Sequence, residues 1–138
     1  MKHIAGNLLF VLTFCILASS CQTQSSFPDA PKPHPGKRYN LDAVDALVVQ
    51  NGLRGSVRDP LSLIFGKASA IKRPDGTIEV CGMVNGKNGF GGYTGFVPYN
   101  GLIVRNTAGD QVFAVTGIGD GGNRDLAIAM LCERNGVI

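Results

Sequence analysis

Residues 77–104 read TIEVCGMVNGKNGFGGYTGFVPYNGLIV. From Thr77 the pattern has a period of two. Ile78, Val80 and Gly82 alternate with Glu79, Cys81 and Met83, as a half-buried β-strand requires. After Val84 the character changes to a dense set of turn formers, Asn85, Gly86, Asn88, Gly91, Gly92 and Gly95, with Lys87, Phe90 and Tyr93 among them. Apolar residues resume at Phe96 and Val97, and again at 101–104, with Pro98 predicted to make a bend or bulge between the two runs. Two strands joined by a shaped loop are therefore expected, and the rest of the chain is read against that hairpin.

Toward the N-terminus, 67–72 alternates Ala68 and Ala70 with polar neighbours, and Arg73-Pro74-Asp75-Gly76 is a strong turn. Proline presets φ and glycine accepts a positive φ. A further hairpin follows. Beyond it, 105–109 turns the chain into a last strand over 111–116. Because every connection is short, the expected strand order is a meander. Helices flank this sheet. Asn40 is a good N-cap, and Leu41, Val44, Leu47 and Val48 recur at helical spacing, which predicts a helix over 41–50 that can extend to Val57. Asp59-Pro60 should start one helical turn through Phe65, ended by Gly66, with Leu61, Ile64 and Phe65 plugging one edge of the core. A C-terminal helix is expected from Asn123 to about Arg134. Its centre, Leu126 to Cys132, is apolar all round and so is expected to be buried. The predicted fold class is α+β: a single domain over 40–138, with an antiparallel sheet of three to four strands packed on an N-terminal helix and a buried C-terminal helix.

Residues 1–20 have the proportions of a signal peptide. Lys2 precedes an apolar run from Leu8 to Ala18, too short for a permanent membrane span. Ala18-Ser19-Ser20 directly before Cys21 is similar to a bacterial lipobox, which implies cleavage before Cys21 and lipidation of its thiol. Cleavage of an ordinary signal peptide at the same small residues is the alternative, and would release a soluble protein. Gln22 at the following position implies, by the same resemblance, retention at the outer membrane, on a face the sequence does not decide. Three acyl chains, at about 0.8 kcal/mol per buried CH₂, hold a small domain without any inserted segment. Residues 21–39 form a tether in which Pro28, Pro31, Pro33 and Pro35 nearly alternate. Its seventeen residues from Gln22 to Arg38, extended at about 3.1 Å each, reach roughly 50 Å.

Of the four cysteines, Cys15 leaves with the signal peptide and Cys21 is assigned to lipid, so Cys81 and Cys132 remain to pair. A disulfide between them suits an exported domain. The mature chain keeps all the basic residues except Lys2 and every acid, and its charges are scattered. Nucleic acid is not an expected partner. The single mature histidine, His34, lies in the tether, so neither a metal site nor a Ser-His-Asp arrangement is expected in the domain. Gly117-Ile118-Gly119-Asp120-Gly121-Gly122 literally matches a dinucleotide fingerprint, but too little chain follows for the second strand and its ribose-binding acid. Asp120, Asn123 and Asp125 lack an EF-hand spacing, and the plainer reading is a glycine turn with Asn123 as helix cap. No cofactor is expected.

Asp59-Pro60-x-Ser62-x-x-Phe65-Gly66 followed by Val80-Cys81-Gly82-x-Val84-Asn85-x-Lys87-Asn88-x-x-Gly91-Gly92-Tyr93-x-Gly95-Phe96 resembles a family of small, functionally uncharacterised exported proteobacterial proteins, lipoproteins among them. The resemblance covers roughly 53–96. It departs at Leu61 and Leu63, where acidic or small residues are usual, and at Gly86, where alanine is common. It implies kinship and export, and transfers no catalytic residue. The loop itself offers Lys87, Tyr93 and Thr94 with no carboxylate or histidine, which argues against acid–base or nucleophilic catalysis. Its asparagines and glycines suit loop architecture. Asn85, Lys87, Asn88, Phe90, Tyr93 and Phe96 are the candidate recognition residues, since aromatic side chains in a rigid frame suit a protein, peptide or glycan contact. The expected function is non-enzymatic: a lipid-anchored envelope binding or assembly module with a protein partner, able also to self-associate through a sheet edge as a homodimer. The alternatives are a protein inhibitor or immunity lipoprotein acting through this loop, and a small-ligand carrier with a pocket between sheet and helix.

Overall fold

The computed structural model describes residues 36–138, so the leader, Cys21 and the tether up to residue 35 lie outside the described residues. The elements follow in the order β1 (Lys37–Tyr39), α1 (Ala43–Arg54), a 3₁₀ turn (Pro60–Ser62), β2 (Ile64–Lys72), β3 (Ile78–Asn85), β4 (Val97–Arg105), β5 (Gln111–Ile118) and α2 (Asn123–Arg134). The strands form one sheet in the order β1-β2-β3-β4-β5, antiparallel throughout. The α+β class and the meander are as the sequence predicts. The strand count is five rather than three to four.

Of two local differences, the first adds the fifth strand and the second lengthens β2. Lys37–Tyr39, expected in the tether, pair with Lys72, Ile71 and Ala70 as a short edge strand. The helical turn after Pro60 ends at Ser62 instead of running through Phe65, which leaves Ile64 and Phe65 to lengthen β2. Pro98 does not divide the following strand either. It is the second residue of β4, opposite Met83, and its carbonyl accepts the Gly119 N–H at 2.8 Å, so the donor it lacks falls near a strand end where little is lost.

The alternation in β3 assigns each face of the sheet to a helix. On one face Val80, Ile78, Val84, Tyr99, Ile103 and Phe113 pack with Val49 and Leu53 of α1. On the other, Cys81 and Ile71 pack with Ile128 and Cys132 of α2 and with Val137. Each fully buried aliphatic side chain contributes about 1.5–3 kcal/mol. Gly52 sets how closely α1 approaches: a Cβ there would lie 2.5 Å from the Phe113 carbonyl oxygen. Helix α1 starts two residues later than expected. Asp42, not Asn40, is its N-cap, in a capping box with Asp45, whose carboxylate also accepts the Tyr39 hydroxyl at 2.9 Å.

Helix α2 corrects a second expectation. Only Ile128 and Cys132 are fully buried, whereas Leu126 and Met130 are 62% and 60% exposed. A helix on a sheet buries one stripe, and an all-apolar sequence does not say which. The disulfide Cys81–Cys132 joins α2 to β3, with Cα atoms 6.1 Å apart and 51 residues enclosed. Next to it Glu79, 3% exposed, is held by the Arg73 guanidinium and by the Asn135 amide at the end of α2. Removing one partner of such a buried pair costs about 3–5 kcal/mol, so this clamp and the disulfide together fix α2 to the sheet.

Among the described residues no helix is long and apolar enough to cross a membrane.

Candidate recognition loop

The β3–β4 connection is built from the strand ends outward. Asn85 is the last residue of β3, opposite Ile64, and its side-chain oxygen is buried without a hydrogen-bond partner. Beyond it Lys87 and Tyr93 form an antiparallel bridge, with the Lys87 ammonium 5.6 Å from the centre of the Tyr93 ring. The tip is then closed by one side chain. Asn88 Oδ1 accepts the N–H groups of Phe90 at 2.9 Å and Gly92 at 3.1 Å. The Asn88 N–H donates to the Gly92 carbonyl at 2.8 Å, and its carbonyl accepts the Gly91 N–H at 3.0 Å. Gly91 has φ +85° and Gly95 φ +98°, a region that costs an L-residue roughly 1–2 kcal/mol. This is a three-residue hairpin loop whose third residue must be left-handed.

The base of the loop is braced from a distant segment. Ser62 Oγ accepts the Lys87 N–H at 3.1 Å and donates to the Asp59 carbonyl at 2.9 Å. The two halves of the sequence signature, around Asp59-Pro60-x-Ser62 and Asn85-x-Lys87-Asn88, therefore meet in space. That contact spans 25 residues, and its only sequence signal is the co-occurrence of the two segments.

What the frame presents is apolar. Phe90 is 99% exposed, Tyr93 and Phe96 are each half exposed, and Leu61 on the bracing turn is 94% exposed. Leu61 and Ile64 thus do not plug the core as expected. Only Phe65 packs against it, with the Arg54 guanidinium 5.1 Å from its ring centre. Leu61 thus adds exposed apolar surface on the turn that braces the loop.

The asparagine–glycine tip has a twin. At the β4–β5 end Asn106 Oδ1 accepts from Ala108 N at 3.0 Å and Asp110 N at 2.9 Å, Asn106 N donates to the Asp110 carbonyl, and Gly109 takes φ +90°. The bonding pattern matches that of 88–92 atom for atom. The residue held at the apex is Ala108 in one and Phe90 in the other.

The glycine run before α2 is not an anion cradle. Gly119 N donates to the Pro98 carbonyl, Asp120 N and Gly121 N donate to Asp125 Oδ1 at 2.8 and 3.0 Å, and Gly122 N donates to Asp120 Oδ1 at 3.0 Å. Its donors are spent internally, so the fingerprint lacks the free N–H groups a phosphate needs. Asn123 is the first helical residue rather than the cap, and Asp125 supplies the acceptor expected of it. Among the described residues no group of three His, Cys, Asp or Glu is placed to hold a metal ion.

Two tyrosines outside the loop have shifted hydroxyls. Burial pushes Tyr99 up to about 12, and the hydrogen bond to Asp45 raises Tyr39 above its ordinary value.

In comparisons with known proteins, the chain matches no protein-family model, no curated protein and no solved structure.

Proposed function

We propose that this protein is a non-enzymatic, lipid-anchored binding or assembly module of the bacterial envelope, which engages a protein partner through the loop around Phe90. The observation that carries this reading is the pair of matching turns. Asn88 and the left-handed Gly91 close the tip using only the backbone N–H of Phe90 and not its side chain, as Asn106 and Gly109 do around Ala108. A phenylalanine in open solvent stabilises nothing in this fold. Buried in a partner, it contributes about 1.5–3 kcal/mol, and Tyr93, Phe96 and Leu61 enlarge the same kind of surface. The ionisable side chains between 85 and 96 are Lys87 and Tyr93, which suits contact better than proton transfer. The anchor part of the reading rests on the lipobox-like segment before Cys21, with Gln22 favouring the outer membrane.

A photo-activated cross-linker at position 90 in the native envelope tests it. We expect one discrete adduct, lost in Tyr93→Ala while the melting temperature stays unchanged. Absence of any adduct, or a large drop in melting temperature on Tyr93→Ala, would assign the loop to folding alone. Radioactive palmitate should label the wild type and not Cys21→Ala.

A further inference from the structure

On the α2 face of the sheet a half-open cavity of about 260 Å³ lies beside the disulfide. It is lined mainly by Met83, Pro98, Ala129, Ile138 and the two bridged cysteines, with Ser69, Gly82 and Tyr99 also at its edge, and among the described residues Lys67 is the only one lining it with a charged side chain.

The backbone singles out Lys67. Phe65 pairs with Val84 and Ala68 with Gly82, so Gly66 and Lys67 together oppose the single residue Met83 in a β-bulge. Bulges re-aim side chains and mark functional edges of sheets. Here the bulge sets Lys67 beside Met83 on the wall of the cavity. Gly66 is the residue that permits it: a Cβ there would meet Met83 and the Phe96 ring, each at 3.1 Å. Among the described residues the ion pairs are Arg73–Glu79 and Arg124–Asp120, so Lys67 has no carboxylate partner. Its aliphatic stem can line an apolar wall while the ammonium stays at the wet rim.

We infer that this cavity binds an anionic amphiphile with a single medium-length acyl chain, the chain lying against Met83, Ala129, Ile138 and the disulfide and the carboxylate meeting Lys67. A half-open cavity of about 260 Å³ suits one chain of modest length rather than a bulkier ligand. A neutral apolar ligand leaves the lysine unused, and a polar anion leaves the walls unused. Phe90 does not line this cavity, and the inference does not rest on the reading of the loop.

Decanoate is the probe and decanol its uncharged counterpart. Both are titrated below micelle-forming concentration into the full chain carrying Cys21→Ser, so that no acyl group of its own competes, and are followed by backbone amide NMR shifts. Saturable shifts centred on Met83, Ala129 and Ile138 are expected. Lys67→Met should weaken decanoate about threefold and leave decanol unchanged to within about twofold, the size of a rim ion pair. Ala129→Trp fills the space and should abolish both. If that variant loses native dispersion, Met83→Trp at the more open rim replaces it. The inference is overturned by the absence of saturable shifts with decanoate, by shifts confined to another surface, by equal effects of Lys67→Met on both probes, or by undiminished binding in a folded cavity-filling variant.

Discussion

Two hairpin ends of this molecule are closed by the same turn and finished differently. At 106–110 the asparagine carboxamide, the left-handed glycine and the cross-turn carbonyl bond surround an alanine. At 88–92 the same groups surround a phenylalanine that stands almost wholly in solvent. A third turn, 73–77, repeats the backbone bonds with Gly76 at φ +87° and Asp75 at the apex. Three copies of one local solution show what the turn requires, namely a left-handed glycine and a cross-turn carbonyl bond. They also show what it leaves open: the apex side chain. An apex that stays large and apolar where two others are small or charged needs a reason outside the fold.

Breaking the shared frame should have the largest effect. The double change Cys81→Ser, Cys132→Ser should cost about 2–5 kcal/mol in chemical unfolding, because the bridge closes a 51-residue loop between β3 and α2. A loss below about 0.5 kcal/mol would mean that the Arg73–Glu79–Asn135 clamp alone fixes α2.

Alkali should come next. The Tyr99 hydroxyl, pushed up to about 12 by burial, stays protonated in the fold at pH values where an unfolded tyrosine, with its ordinary value of 10, has ionised. The stability it contributes is therefore complete below pH 10 and is lost as pH rises from 10 through 12. The loss is on the order of 2–3 kcal/mol, and Tyr99→Phe should flatten it. Unfolding curves across that range provide the check.

The glycine pair sharpens the match between the turns. Gly91→Ala and Gly109→Ala meet no neighbouring atom, so each should cost only the left-handed strain, about 1–2 kcal/mol and nearly equal in the two. Unequal losses would show that the turns are not energetically alike. Smallest are Asn88→Ala and Asn106→Ala, each about 1 kcal/mol by thermal melting. Only the first should also weaken the partner contact.

Much of this was legible in local chemistry. The turn at 73–76, the strand alternation in β3 and the pairing of Cys81 with Cys132 depend on neighbours in sequence or on simple elimination. What was not legible is long-range. Lys37–Tyr39 is too short to show alternation and becomes a strand only because β2 has an open edge there. The face of α2 could not be read, because Leu126 and Met130 are as apolar as Ile128 and only the sheet chooses between them. In the loop, Asn88 and the glycines announced a turn, but the brace from Ser62 to Lys87 joins segments that no periodicity connects. The apex is the reverse case. Phe90 was visible in the sequence as an aromatic among glycines, and its meaning emerged only beside Ala108.

The most direct measurement replaces 89–92 with the 107–110 sequence, by Gly89→Thr, Phe90→Ala and Gly92→Asp with Gly91 kept. Thermal unfolding and in-envelope cross-linking from a probe at Tyr93 are then read on the same protein. We predict an unchanged melting temperature, to within about 0.5 kcal/mol of stability, and loss of the cross-linked adduct. A grafted protein that melts early, or one that melts normally and keeps the adduct, would contradict the claim that Phe90 serves a partner and not the fold.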